Sequence, residues 1–553
     1  MKNIKKLFAV LLIAVISFCG LNTVSAANNG SIEIKNAVKG KTYEIYKIFD
    51  LTHSGTGDNA KVAYTISSDW VAFFNGAGKD YILSKDEAGN ILNQIGEVKD
   101  DVNKDDDNID LSSLNLITVG IETKYINITE SNIAEFSKLA LVYAATLEGN
   151  DGSKVAESTT VEFTGLQLGY YLVYPQGATD VSEDEDGNKY ASLASITSTL
   201  PNATVVVKAK DPEITKDVDK HTFDVGEYAQ FTIKGQVPDT TGFTKYDYII
   251  SDEWTKGLEL DKTKDENGKY ENIKFTVKIG EETYTDKEAV YSNDDLTLTF
   301  GNDNVKFELA FKDNGFDLTF DMTKYQGKIG EQIEVTYELK VTEDAINNPA
   351  TDNDIATENK ATLTYSNNPK DLTKKTTTPP QIERVYSSKI VVTKVDGANN
   401  ETKLAGATFI LKGSEGYYQA VMDGDKLVDV EWVAEEKDAT QYTTDETGVI
   451  SFEGLENGEY ELIETQAPEG YNKLPKPVKV TVSGSYEKDV DGNNILAEPI
   501  PVVTNTTVEN FTGTSLPSTG GVGTTLFIII GSLLMIGSLL VLITNKRMSK
   551  ESL

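Results

Sequence analysis

Alternation of apolar and polar positions is the commonest pattern along the chain. It runs through Ser31-Ile32-Glu33-Ile34, Lys274-Phe275-Thr276-Val277, Leu296-Thr297-Leu298-Thr299-Phe300, Glu334-Val335-Thr336-Tyr337 and Lys389-Ile390-Val391-Val392. A period of two sends successive side chains to opposite faces of an extended segment, so each run predicts a half-buried strand. Turn dipeptides punctuate these runs: Asp186-Gly187, Asn267-Gly268, Asn314-Gly315, Asp423-Gly424, Asn457-Gly458 and Asp491-Gly492. Such pairs favour tight reversals between antiparallel strands. Many short strands joined in this way predict an all-β chain of tandem immunoglobulin-like β-sandwich domains. One segment departs from the pattern. Over 131–148, Ile133, Phe136, Leu139, Ala140, Tyr143 and Leu147 recur at spacings of three and four, which predicts a helix inserted into the first domain.

Continuous apolar stretches occur near the two ends. Lys2, Lys5 and Lys6 precede an apolar run over 7–19, and Val24-Ser25-Ala26 follows. A basic start, an apolar middle and small residues at the end predict a secretory signal peptide over 1–26, cut before Ala27. At the other end a second apolar run covers 526–543, followed by Lys546, Arg547 and Lys550. That run is just long enough to span a bilayer, and its basic flank predicts a cytoplasmic tail. Between the ends, Lys210-Asp211-Pro212 and Thr376-Thr377-Thr378-Pro379-Pro380 read as linkers. The stiff, polar character of the second makes it a spacer. The predicted domains are therefore 27–210, 211–385 and 386–511, with a C-terminal segment over 512–553 that holds the apolar span.

Composition narrows the functions. The chain has 553 residues, 39% of them hydrophobic, enough for packed cores. Asp and Glu number 87 against 52 Lys and Arg, for a net charge of −35. Such a surface repels phosphates, so nucleic acid is excluded as a partner. The single cysteine, Cys19, leaves with the signal peptide, so the exported chain has no disulfide. The two histidines, His53 and His221, lie far apart, leaving no basis for a histidine-based triad or a Cys/His zinc site. No metal or cofactor is expected. The aspartate-rich segments 100–110 and 180–186 lack the ligand order of an EF-hand and read as solvated loops.

Two residues of the third domain stand out on physical grounds. Lys394 sits beside apolar neighbours on a predicted strand, and Glu464 falls on the same face as Tyr460 and Leu462. A charge on an inward face is costly unless paired, so these are either strand-edge charges facing water or a buried pair. The third domain also echoes the first. Phe163-Thr164-Gly165-Leu166 with Gly169 and Tyr171 repeats as Phe452-Glu453-Gly454-Leu455 with Gly458 and Tyr460. The shared pattern predicts one sandwich topology for both domains.

Several motifs resemble those of a known family. Leu516-Pro517-Ser518-Thr519-Gly520 before an apolar span and a basic tail resembles the sorting signal of Gram-positive surface proteins. Lys394-Val395-Asp396, Leu404-Ala405-Gly406-Ala407-Thr408-Phe409 and the box Glu464-Thr465-Gln466-Ala467-Pro468-Glu469-Gly470-Tyr471 look like the collagen-adhesin B-type domain. The middle domain, from Glu213-Ile214-Thr215-Lys216 through Asp252 to Glu358-Asn359-Lys360-Ala361, is similar to the A-type isopeptide-forming domain. Together they resemble the backbone pilins of sortase-assembled Gram-positive pili.

That resemblance implies a specific chemistry. In the third domain Lys394 would join Asn510, with Asn505 as the alternative, assisted by Glu464. In the middle domain Lys216 would join Asn359, assisted by Asp252 or by Asp247. An apolar site favours the neutral, nucleophilic amine and the protonated acid that polarises the carboxamide. In the first domain Pro175 occupies the place of Glu464, and Lys35 is the only obvious amine, so no internal bond is expected there. A sortase would cut between Thr519 and Gly520 and pass the threonyl group to a lysine of the next copy. Lys210 has the family's position, with Lys208 second, although the usual Tyr-Pro before it is missing. The implied partners are a pilin-specific sortase, copies of the chain itself, peptidoglycan, minor pilins and host surface ligands. The alternative is a monomeric wall-anchored adhesin, or a minor or basal pilin. The lysine–asparagine pairs act once and on themselves, so no enzyme is implied.

Overall fold

The computed structural model describes residues 30–548 except for 55–60, 100–110, 130, 178–179, 181, 184–188, 191–194, 199–201, 208–209, 264–265, 267–271, 287–289, 293–296, 302–305, 347–356, 484–485, 489–493, 497–502 and 514–521. The predicted signal peptide, Lys208 and the motif residues Leu516, Pro517, Thr519 and Gly520 lie outside the described residues. Two compact units divide the chain: Met1–Ser387 with Ser485–Ile500, and Ser388–Gly484 with Pro501–Leu553.

The described chain is overwhelmingly β, as the alternation predicts. In the first unit, buried apolar residues form separate clusters on either side of residue 210. Before it, the strand Gly30–Lys35 runs parallel to Asn202–Val206 and antiparallel to Thr160–Leu166. A 9-stranded sheet built on Thr42–Ser54 and Gly169–Pro175 faces this one. Ile32, Ile34, Ile45, Phe163 and Tyr171 are buried in one cluster. The predicted helix is present as Ile133–Ala144. Its apolar stripe buries Phe136, Ala140 and Leu141 in a cluster with Trp70, Phe73, Phe74 and Tyr81. The helix stops short of the predicted end because the chain turns after Ala144, with Leu147 N–H bonded to the Ala144 carbonyl.

Beyond residue 210, a 6-stranded and an 8-stranded sheet enclose one large aromatic-rich core. The first sheet orders Thr215–Val218, Tyr228–Gln236, Gln332–Val341 and Phe275–Ile279 side by side. The second centres on Asp247–Trp254, flanked by Gly315–Asp321 and Thr357–Ser366. Alternate residues of these strands point into the core, as in the burial of Tyr248, Ile250, Asp252 and Trp254.

In the second unit, Ser388–Asp396 runs parallel to Val503–Asn510 and antiparallel to Val449–Leu455. The facing sheet carries Thr408–Lys412, Gly458–Gln466 and Val478–Val482. The sequence echo has a geometric basis. In both domains the first strand lies between a parallel last strand and the antiparallel strand bearing Phe-x-Gly-Leu. Gly165 and Gly454 adopt φ of +71° and +79°, a backbone that disfavours a Cβ. The register slips beside each, between Gly30 and Ile32 and between Ser388 and Lys389. The repeated glycine therefore marks the same β-bulge.

The helix Val522–Met548 covers the predicted span, with side chains described only over 528–543. Among the described residues no helix is long and apolar enough to cross a membrane.

Phe136→Ala is expected to destabilise the first unit by about 3–5 kcal/mol, the range for emptying a buried aromatic site. Val142→Ala, on the exposed face of the same helix, is expected to change stability by less than about 0.5 kcal/mol. Chemical denaturation of the two variants checks the orientation of the helix; equal losses would contradict it.

Candidate functional site

The side chains of Lys216 and Lys394 are enclosed in the interior, and both residues were singled out from the sequence. Lys216 lies on the strand Thr215–Val218, whose alternation turns it and Val218 inward. Asp252 and Asn359 lie on neighbouring strands of the facing sheet and are both fully buried. The three groups meet in the core. Lys216 Nζ forms an ion pair with Asp252 Oδ2 and donates to the Tyr337 hydroxyl at 2.5 Å. Asn359 Nδ2 donates to the same hydroxyl at 2.9 Å. Tyr337 thus ties amine to carboxamide, a role that its strand alternation in Glu334-Val335-Thr336-Tyr337 does not reveal. The Lys216 ammonium also lies 5.0 and 5.2 Å from the ring centres of Phe231 and Tyr337. Asp252 Oδ1 and Asn359 Oδ1 are buried without a hydrogen-bond partner.

Electrostatics follow from this burial. Desolvation pushes the Lys216 amine below its ordinary range, against the pull of Asp252. Desolvation likewise pushes the Asp252 carboxyl up, against the pull of Lys216. Both shifts favour a neutral amine beside a neutral acid. Asp247, the alternative acid, is elsewhere. It is partly exposed and paired with Lys245 and Lys375 at 2.8 and 2.9 Å. Burial would raise its carboxyl, but these two lysines hold it below the usual range.

The second unit builds a related cluster differently. Lys394 and Asn510 lie on the adjacent parallel strands, Lys394 opposite Val508 and Asp396 opposite Asn510. Both face the interior, and Glu464 reaches them from the other sheet. Lys394 Nζ donates to the Val508 carbonyl at 2.9 Å. Asn510 Nδ2 donates to Glu464 Oε1 at 2.9 Å, to Glu464 Oε2 at 3.2 Å and to the Asn472 carbonyl at 2.9 Å. Leu474 N–H fixes Glu464 Oε2 at 2.7 Å, so the turn after the Glu464 box holds both acid and carboxamide. Desolvation lowers the Lys394 amine to about 8. Gly448 has φ +70°, and a Cβ there would lie 2.8 Å from the Lys394 carbonyl, so the strand carrying Lys394 needs a glycine at that turn. Asn505 is exposed and lies opposite Val391.

The remaining predicted residues are dispersed. Lys35 is exposed, 3.4 Å from Glu33, and Pro175 lies opposite Tyr43. The first domain nonetheless buries an acid that sequence reading missed. Glu44 accepts from Tyr46, Tyr174, Asn150 and Gln176 at 2.6, 3.0, 3.2 and 2.8 Å. Four donors satisfy this carboxylate. Lys210 is exposed, 3.9 Å from Glu213. Asp180, expected in a solvated loop, is instead 5% exposed, because it packs against the 210–213 segment. Among the described residues no group of three or more His, Cys, Asp or Glu forms a metal cluster.

Two family models match segments near the C-terminus. The prealbumin-like fold domain matches residues 388–495, and the LPXTG cell wall anchor motif matches residues 512–550. The chain is 24% identical over 483 residues to the trypsin-resistant surface T6 protein of Streptococcus pyogenes serotype M6, covering 70% of this chain and 80% of that protein. Among solved structures it is similar to the T6 backbone pilin of serotype M6 Streptococcus pyogenes, with 16% identity and a TM-score of 0.48 over 89% of this chain and 100% of that one. It is also similar to the major pilin SpaD of Corynebacterium diphtheriae, with 17% identity and a TM-score of 0.42 over 89% and 99% of the two chains. With its prealbumin-like domain and anchor motif, the chain is a cell-wall-anchored Gram-positive surface protein that resembles the backbone pilins of sortase-assembled pili.

Proposed function

We propose that the chain is the structural backbone subunit of a covalent pilus, braced by two internal amide bonds, Lys216–Asn359 and Lys394–Asn510. The observation that carries this reading is the burial of a lysine, an acid and an asparagine together in each of two sandwich cores. The neutral amine attacks the asparagine Cγ, and the bond from Cγ to the carboxamide nitrogen breaks. The acid, Asp252 or Glu464, carries a proton from the attacking nitrogen to the departing one, and ammonia leaves. The product is a neutral amide in place of an ammonium and a polar side chain, so the cost of burying a charge disappears.

Polymerisation is the second half of the reading. A sortase breaks the Thr519–Gly520 bond, holds the threonyl group as a thioester, and releases it to the Lys210 amine of another copy. Lys208 is the alternative acceptor. Each copy then presents one donor end and one acceptor, and head-to-tail repetition without closure gives an open fibre. The last copy joins peptidoglycan. The lysine–asparagine pairs turn over once, on their own chain, and serve structure alone.

The test is a blot of boiled cell-wall extract for this chain. A high-mass ladder is expected, and Lys210→Arg is expected to collapse it. A single band near monomer size from the unaltered chain would remove the backbone reading and leave a monomeric wall-anchored adhesin.

Stability supplies a separate test. A crosslink closing a loop of about 100 residues contributes about 4.7 kcal/mol in the loop-closure model. Glu464→Ala and Asn510→Ala are each expected to lose on the order of 4–5 kcal/mol in denaturant unfolding of the second unit. The double variant is expected to lose at most about 1 kcal/mol more than the worse single one, because both remove the same bond. Additive losses would contradict a shared covalent link.

A further inference from the structure

The turn beneath Lys210 is gripped by one residue. Asp180 and Lys210 form an isolated antiparallel bridge, in which the Asp180 N–H donates to the Lys210 carbonyl at 3.0 Å. The Asp180 carboxyl reaches around the turn and accepts from the Glu213 N–H at 3.2 Å. Backbone and side chain of Asp180 therefore hold both ends of Lys210-Asp211-Pro212-Glu213. Lys41 grips the same turn by an ion pair with Asp211. Asp180 is buried, and its Oδ1 has no hydrogen-bond partner. The Lys210 side chain, by contrast, is 65% exposed. The backbone is fixed while the amine faces solvent.

An acyl acceptor benefits from this arrangement. The rate of a transfer between two macromolecules depends on how often the nucleophile meets the acyl carbon in a reactive orientation. A lysine on a loose linker samples many approaches, whereas one on a pinned turn is offered from a constant direction. Pro212 stiffens the turn further by fixing its own φ.

We propose that Asp180 is a positioning residue for the intermolecular bond, pinning the 210–213 turn so that the Lys210 amine is presented to an acyl-thioester donor. In the step it serves, the amine nitrogen bonds to the threonyl carbonyl carbon, the carbon–sulfur bond breaks, and the thiolate takes up the amine's proton. This inference rests on Lys210 as the acceptor.

The buried carboxyl also sets a pH signature. Desolvation raises Asp180 to about 8. The hydrogen bond from the Glu213 N–H and the charge of Lys210 oppose the rise, and the charges of Glu213 and Asp211 reinforce it. Tyr246, Tyr248 and Tyr365 also face the group. A carboxyl raised in the closed turn binds a proton more tightly there than in the open chain. The closed turn is therefore favoured most at low pH and weakens as pH rises from about 4 towards about 8, with no further loss above. Asp180→Asn keeps an oxygen for the Glu213 N–H but does not titrate.

The experiment uses the mature chain, 27–519, as acceptor, an LPSTG peptide as donor, and a pilin sortase, with kcat and KM measured for the acceptor. Asp180→Ala is expected to lower acceptor kcat/KM about tenfold, and Asp180→Asn to stay within about twofold of the unaltered chain at pH 6. The ratio of unaltered to Asp180→Asn rates is expected to fall between pH 6 and 8. Lys210→Arg is expected to abolish transfer. If Lys210→Arg abolishes transfer while Asp180→Ala reacts normally, the positioning role is overturned and the acceptor assignment stands. If Lys210→Arg reacts normally, both are overturned. Should Asp180→Ala unfold, the Asp180→Asn ratio decides alone: a ratio flat across this pH range overturns the proposal.

Discussion

A lysine with no route to water is the constraint on which the rest depends. Removing an ammonium from water costs on the order of several kcal/mol even after relaxation, and a paired acid offsets only part of it. Lys216 meets that cost with Asp252, two aromatic faces and the Tyr337 hydroxyl. Lys394 has less help. Its amine donates to a backbone carbonyl and senses Glu464 through space. Both environments press the amine towards its neutral form, which is the nucleophilic one. The feature that makes each core expensive as an ion pair therefore makes it competent for amide formation.

The two clusters solve one problem with different topologies. In the larger sandwich the lysine sits on one sheet and the acid and asparagine on the other, so an amide there would staple the two layers. In the second unit, lysine and asparagine occupy adjacent parallel strands, the first and last of the domain, and the acid approaches from the opposite layer. An amide there would link the chain ends directly, so that pulling along the strands loads a covalent bond before the hydrogen-bond ladder. The first domain repeats the strand order and the bulge glycine of the second unit. At its corresponding position stands Pro175, and its buried acid, Glu44, is saturated by tyrosine and amide donors. A carboxylate so well satisfied stabilises a core as an ion.

Much of this was legible in the sequence because it depends on local periodicity. Alternation identified the strands, the three-and-four spacing identified the helix, and the Phe-x-Gly-Leu echo marked a shared topology. Alternation also set Glu464 on the face of Tyr460 and Leu462, whereas Lys216 and Asp252 were marked by the family resemblance alone. What remained illegible depends on contacts between distant segments. Tyr337 looked like any other strand tyrosine until two sheets brought it between Lys216 and Asn359. Asp180 sat in an acidic run that reads as solvated, and only its packing against residues 210–213 buries it. Choosing between Asp252 and Asp247 needed the register: five positions apart on one strand, they face opposite sides. Asn505 and Asn510 differ in the same way.

The central claim is that the two buried lysines are acylated by their asparagine partners. The most direct measurement is the intact mass of the ectodomain, residues 27–515, produced without any sortase. Each bond expels one ammonia, about 17 Da, so the account predicts a mass about 34 Da below that of the unmodified sequence. A mass equal to that of the unmodified sequence would contradict it for both domains.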